Sequence, residues 1–179
     1  MRLFLALECP GFDARPLERE LGAQPAGSYH VTLAFLGERP DAAAVVKAAA
    51  PACTGRLPLA LEYRGLDAFH SPRAARVAWV GVRGAGLAEL ALALRGATAS
   101  QDRPFVGHVT LARFRPPRDL SELMRRHGDA DCGSGSVTRV PRGRATLRRG
   151  GALHEPRFHR DGQGRARATP TAAPGAPRA

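Results

Sequence analysis

The pentapeptide His-Val-Thr-Leu-Ala occurs twice, as His30-Val31-Thr32-Leu33-Ala34 and as His108-Val109-Thr110-Leu111-Ala112. Phe35-Leu36-Gly37 follow the first copy and Arg113-Phe114 the second. Val and Thr favour extended backbone. In a strand, residues i and i+2 share a face. Each copy therefore sets an imidazole beside a hydroxyl on one face and turns Val and Leu to the other. A chain built this way is expected to contain two related halves. Two such strands can surround one small anion with two imidazoles and two hydroxyls.

Punctuation and periodicity extend that expectation along the chain. Residues 2–8 read as a strand, cut off by Pro10-Gly11. Residues 13–21 read as a helix, with Leu17 and Leu21 four apart and Gly22 as its stop. Asp41 caps an Ala-rich helix over 42–50, which Pro51 is expected to end. Strands follow over 57–66 and 76–82, then a helix over 86–97 with Leu87, Leu90 and Leu94 on one face. The second histidine strand covers 108–114, with a short helix over 120–126. A strand over 136–147, broken near Pro141, and a return over 152–158 close the pattern. The order predicts an α+β fold of two pseudo-symmetric antiparallel-sheet lobes, with outer helices around a central cleft. The domain is expected to span 1–159. Residues 160–179, almost free of large apolar side chains, are expected to be a disordered basic tail.

Composition narrows the function. The 179 residues suffice for one domain with a real core. No apolar run reaches the length of a membrane span. The short apolar start is interrupted by Glu8 and reads as a strand rather than a leader. Three widely spaced cysteines, Cys9, Cys53 and Cys132, fit neither a disulfide framework nor a zinc knuckle, and point to a reducing cytoplasm. The net charge of +11 is carried almost wholly by arginine, since Lys47 is the one lysine. Such a charge draws polyanions, nucleic acid above all. Aromatics are 6%, too few for an extended base-stacking platform, so a site for one or two nucleotides fits better.

An imidazole pair can supply a general base and a general acid in one turnover near neutral pH. In-line hydrolysis of a phosphodiester needs both: one group activates water, the other protonates the leaving oxygen. Thr32 and Thr110 can donate to non-bridging phosphoryl oxygens as charge builds there. Arg113 and Phe35 occupy the same place in the two copies. The arginine suits a phosphate and the phenyl ring a base or ribose, although simple alternation assigns Phe35 to the core with Val31 and Leu33. His70, His127, His154 and His159 have no repeated context. No metal-ligand spacing, nucleophile elbow or Walker loop is present, so no metal and no cofactor are expected.

Two H-x-[ST]-x motifs about eighty residues apart resemble those of the 2H phosphoesterase superfamily. The likeness is closest to its bacterial and archaeal RNA 2′,3′-cyclic phosphodiesterases, the LigT-like or 2′-5′ RNA ligase family. MRLFLALE is similar to that family's opening strand, HVTLAFLG and HVTLARF to its two signatures, FHSPRAARVAWVGV to the segment between them, and VTRVPRGRATLRRGGALHEP to its closing hairpin. The likeness covers roughly residues 1–158. It implies a bilobal fold with a positive cleft and metal-free hydrolysis of an RNA-terminal 2′,3′-cyclic phosphate to a 2′-phosphate. The two motifs are nearly symmetric, so either histidine can take either role; His30 is assigned as general acid toward the leaving 3′ oxygen and His108 as general base. Thr32, Thr110 and Arg113 are then phosphate contacts, and Phe35 lies near the nucleobase. The implied substrate is an RNA with a cyclic phosphate end, or a small cyclic nucleotide; the protein is expected to be a monomer with no obligate protein partner. Reversible 2′-5′ ligation, action on another small cyclic nucleotide, and non-catalytic RNA binding stay open as alternatives. Gly107, where the family often has Pro, and His154, where Tyr is common, depart from the pattern.

Overall fold

The structure is a computed structural model that describes residues 2–22, 29–38, 41–100, 104–148, 151–161 and 166–167. The elements run β1 (Arg2–Glu8), α1 (Arg15–Leu21), β2 (His30–Glu38), α2 (Ala42–Cys53), β3 (Leu59–Phe69) and β4 (Ala75–Arg83). They continue α3 (Leu87–Thr98), β5 (His108–Arg118), α4 (Ser121–His127), β6 (Asp131–Val137), β7 (Arg139–Arg148), β8 (Gly151–Asp161) and β9 (Ala166–Arg167). Asp41 caps α2 by accepting from the Ala43 and Ala44 amides. Pro51 does not end α2. It sits inside the last turn, and the helix closes at Cys53.

The nine described strands form one sheet in the order β6-β3-β4-β5-β2-β1-β7-β8-β9, and each neighbouring pair is antiparallel. A four-stranded half, β6-β3-β4-β5, and a five-stranded half, β2-β1-β7-β8-β9, meet where β2 joins β5 through a single pair, Val31 with Val109. These are the second residues of the two pentapeptides. A pseudo-twofold axis therefore passes between the two copies. Helices α2 and α3 lie together over the β2 side, and α1 and α4 lie against β5 and β3.

A buried row crosses the sheet: Leu7, Val31, Val109, Val80 and Leu66 are each at most 2% exposed. This row joins the two halves into one core, because Val31 and Val109 must both leave water for the bridge to form. Burying apolar surface is worth roughly 25 cal/mol per Å², so this row helps to hold the lobes together.

Residues 136–147 are not one strand. The chain pairs with β3 up to Val137, then crosses at Thr138 and pairs with β1 at the other side of the sheet. The start of β6, Asp131-Cys132-Gly133-Ser134-Gly135, was not expected as a strand, and it is poor in strand formers for a steric reason. A Cβ on Gly135 would run into the Pro10 carbonyl oxygen, and one on Gly133 into that of Gly11. Strand structure also reaches past residue 159: β8 ends at Asp161, and Ala166–Arg167 pair with it. Residues 162–165 and 168–179, the rest of the expected tail, lie outside the described residues.

Candidate active site

Cross-strand partners share a face, so the register fixes which side chains meet. On β1, Glu8 pairs with His30 and Ala6 with Thr32. On β4, Gly81 pairs with His108 and Trp79 with Thr110. Counting outward from the Val31–Val109 bridge sets His30 beside Thr110 and Thr32 beside His108. The four expected residues thus lie together on one face, all half-buried.

Phe35 and Arg113 reach this face through a feature that simple alternation misses. Between Leu5 and Ala6 the β2 register jumps from Ala34 to Thr32, leaving Leu33 as an extra residue. Between Ala78 and Trp79 the β5 register jumps from Ala112 to Thr110, leaving Leu111 extra. The same leucine of each copy is bulged, and a bulge reverses the alternation beyond it. Ala34 and Ala112 then pair with the core residues Leu5 and Ala78, while Phe35 pairs with Phe4 and Arg113 with Val77 on the site face. The expectation that Phe35 belongs with Val31 and Leu33 is therefore corrected: the residue is 56% exposed. The bulge frees a carbonyl from the ladder, and buried carbonyls need partners. Arg95 of α3 donates from Nε to the Leu33 oxygen at 2.8 Å. Ser100 donates to the Phe35 oxygen at 2.7 Å.

The two imidazoles sit in different surroundings. His108 donates from Nδ1 to the Val106 carbonyl oxygen at 2.8 Å. A carbonyl can only accept, so the proton belongs on Nδ1 and the Nε2 lone pair is left for chemistry. The rings of Phe69 (4.9 Å, edge-on) and Trp79 (5.8 Å) close around it. Burial pushes its pKa below the usual imidazole value, against the Val106 bond, and Arg113 pushes the same way as burial. His30 instead lies 5.4 Å from Phe4 at a tilt of 35°, and Phe4 in turn stacks on Phe35 at 6.0 Å.

Gly107 is explained by the space it leaves. Its carbonyl accepts from the Val82 amide at 2.9 Å, and a Cβ there would lie 2.5 Å from the Val82 carbonyl oxygen. The other histidines stand elsewhere. His70 is exposed beyond β3, His127 faces Glu20 at 2.8 Å, and His154 and His159 lie on β8. Burial pushes the Cys9 thiol up to about 12 and that of Cys132 up to about 11, so neither is a thiolate at neutral pH. Among the described residues no three His, Cys, Asp or Glu side chains gather as a metal-binding group. No described helix is long and apolar enough to cross a membrane. Sequence reasoning missed Phe4, Phe69 and Trp79, whose rings lie against the two histidines.

Two antiparallel lobes that meet at duplicated His-x-Thr strands define a bilobal phosphoesterase architecture. Residues 18–141 match the 2′-5′ RNA ligase superfamily. The chain is 33% identical over 141 residues to an Aeropyrum pernix protein named RNA 2′,3′-cyclic phosphodiesterase, covering 72% of this chain and 78% of that one. Its fold matches that of a Thermus thermophilus protein with a TM-score of 0.70 at 24% identity, over 92% of this chain and 99% of that one. It is also similar to E. coli LigT complexed with 3′-AMP, with a TM-score of 0.64 at 27% identity, over 89% and 97% of the two chains. The chain belongs to the 2′-5′ RNA ligase superfamily.

Proposed function

We propose that this protein hydrolyses RNA-terminal 2′,3′-cyclic phosphates to 2′-phosphates, with His108 as general base and His30 as general acid. The observation that carries the reading is the bridge at Val31 and Val109, around which two His-Thr pairs share one face. The Aeropyrum relative's name and the nucleotide in the LigT complex support the substrate class. The Nδ1 bond and depressed pKa of His108 support its role, because a base must be neutral and must offer a lone pair.

In the reaction His108 Nε2 takes a proton from water as the water oxygen bonds to phosphorus. The P–O3′ bond breaks, its electron pair stays on O3′, and His30 gives that oxygen a proton. Thr32 and Thr110 donate to the non-bridging oxygens, and Arg113 balances their charge. The Phe4–Phe35 stack lies against His30. A nucleoside held on those rings brings its 3′ oxygen to the acid, which supports this direction over the reverse.

The test is hydrolysis of adenosine 2′,3′-cyclic phosphate, followed by phosphorus NMR with EDTA present. The wild type should give the 2′-phosphate alone. His108→Ala should lose on the order of a hundred- to ten-thousand-fold in kcat. A 3′-phosphate product would reverse the assignment of the leaving oxygen. Unchanged turnover by the variant would remove the two-histidine mechanism.

A further inference from the structure

From Glu8 back to Phe4 on β1 and from Gly81 back to Val77 on β4 the registers against β2 and β5 are equivalent, so each position in these stretches has a counterpart on the other side. Glu8 pairs with His30 where Gly81 pairs with His108. The two histidines of the repeat therefore differ in their cross-strand neighbour: one faces a carboxylate, the other a residue with no side chain. We infer that Glu8 is a positioning residue that holds His30 in its protonated form, and so assigns the acid role to one of two otherwise matching imidazoles. The inference rests on the two-histidine reading above.

Directly opposed residues in an antiparallel pair have Cβ atoms about 5 Å apart, within reach of a carboxylate and an imidazole. Around His30, Glu8 is the one carboxylate that the register sets opposite the ring. Its own strand adds Thr32; β5 adds Thr110, with His108 and Arg113 on the same face to either side. Phe4 of β1 covers its ring. Glu8 and Glu38 are the only carboxylates on β1, β2 and β5, and Glu38 is at the far end of β2, paired with Arg2. Arg113 opposes protonation of His108, and a positive charge on the same face makes a compensating carboxylate useful on the acid's side. Gly81 fits the other role: a base is served by having no carboxylate to keep it charged.

Glu8 is exposed, so water screens the pair and the expected effect is moderate. In Glu8→Gln, proton–carbon NMR of the histidine rings should show the His30 midpoint lowered by about half a unit, or about threefold in its protonation constant. His30 is assigned by comparison with His30→Gln. The descending limb of the kcat/KM profile should move to lower pH by the same amount, while the ascending limb stays. Glu8→Asp should restore most of both shifts. An unmoved His30 midpoint, or a loss of kcat/KM by one factor at every pH, would overturn the role of Glu8. The NMR arm needs no turnover. A wild type inactive on cyclic phosphates would therefore remove the catalytic reading while the midpoint still decided the pairing.

Discussion

The strands β2 and β5 begin with the same five residues, make the same bulge at the same leucine, and meet at the same valine. Their neighbours differ at each matched place. Glu8 stands against Gly81, Ala6 against Trp79, Phe4 against Val77, and Phe35 against Arg113. What is shared supplies the parts that a phosphate-centred reaction needs twice. What differs supplies direction in the proposed mechanism. His108 is enclosed by Phe69 and Trp79 with its Nδ1 proton fixed. His30 has a carboxylate opposite it and an aromatic pair leading to solvent. In the proposed mechanism, near-symmetric chemistry is made one-way by residues outside the repeat.

The largest effect that tests this comparison comes from removing both histidines. If the two act in one step, the double variant His30→Ala/His108→Ala should be no slower than the worse single variant, because groups acting as a unit are strongly non-additive. Losses that multiply in kcat would mean that the two halves act independently. Next come the residues that break the symmetry. Phe35→Ala should raise KM about tenfold for a nucleotide, and that penalty should vanish for a ribose cyclic phosphate without a base. Arg113→Ala should lose about tenfold or more on both substrates, since its partner is the phosphate. Equal losses for both variants on both substrates would erase the proposed division of the site.

The smallest effect is on stability. Because the folded state depresses the pKa of His108, the unfolded chain binds more protons just below the ordinary imidazole value. Unfolding free energy should therefore rise with pH through that window and fall as the medium is acidified below a pH of about 6.5. Denaturant midpoints measured across this range should show a shallower fall in His108→Asn. An identical slope in the variant would mean that burial of His108 costs nothing.

Much of the fold was legible in the sequence because its signals are local. The bounds of β1, the Asp41 cap and the starts of β2 and β5 follow from alternation and capping alone. The four His and Thr positions were legible for a different reason: the chain states them twice. Less legible were features set by distant backbone. The glycines of β6 answer to the Pro10 and Gly11 carbonyls rather than to strand propensity. Pro51 fits within α2, in its closing turn. The bulges at Leu33 and Leu111 carry no mark in a buried leucine, yet they decide that Phe35 and Arg113 face the site. Glu8 looked like the end of an apolar stretch, and only its pairing with His30 gives it a place beside the chemistry.

The Val31–Val109 bridge has a further meaning. An antiparallel contact between equivalent residues across a twofold axis is the contact that two identical subunits make with each other. In such a dimer every side chain would be present twice, so a carboxylate beside one histidine would stand beside the other as well. An acid could then never differ from a base except by chance of protonation. Joining both halves in one polypeptide lifts that constraint, because each half can change alone. The division of labour proposed for His30 and His108 is thus something that a single continuous chain can encode and a symmetric pair of half-chains cannot.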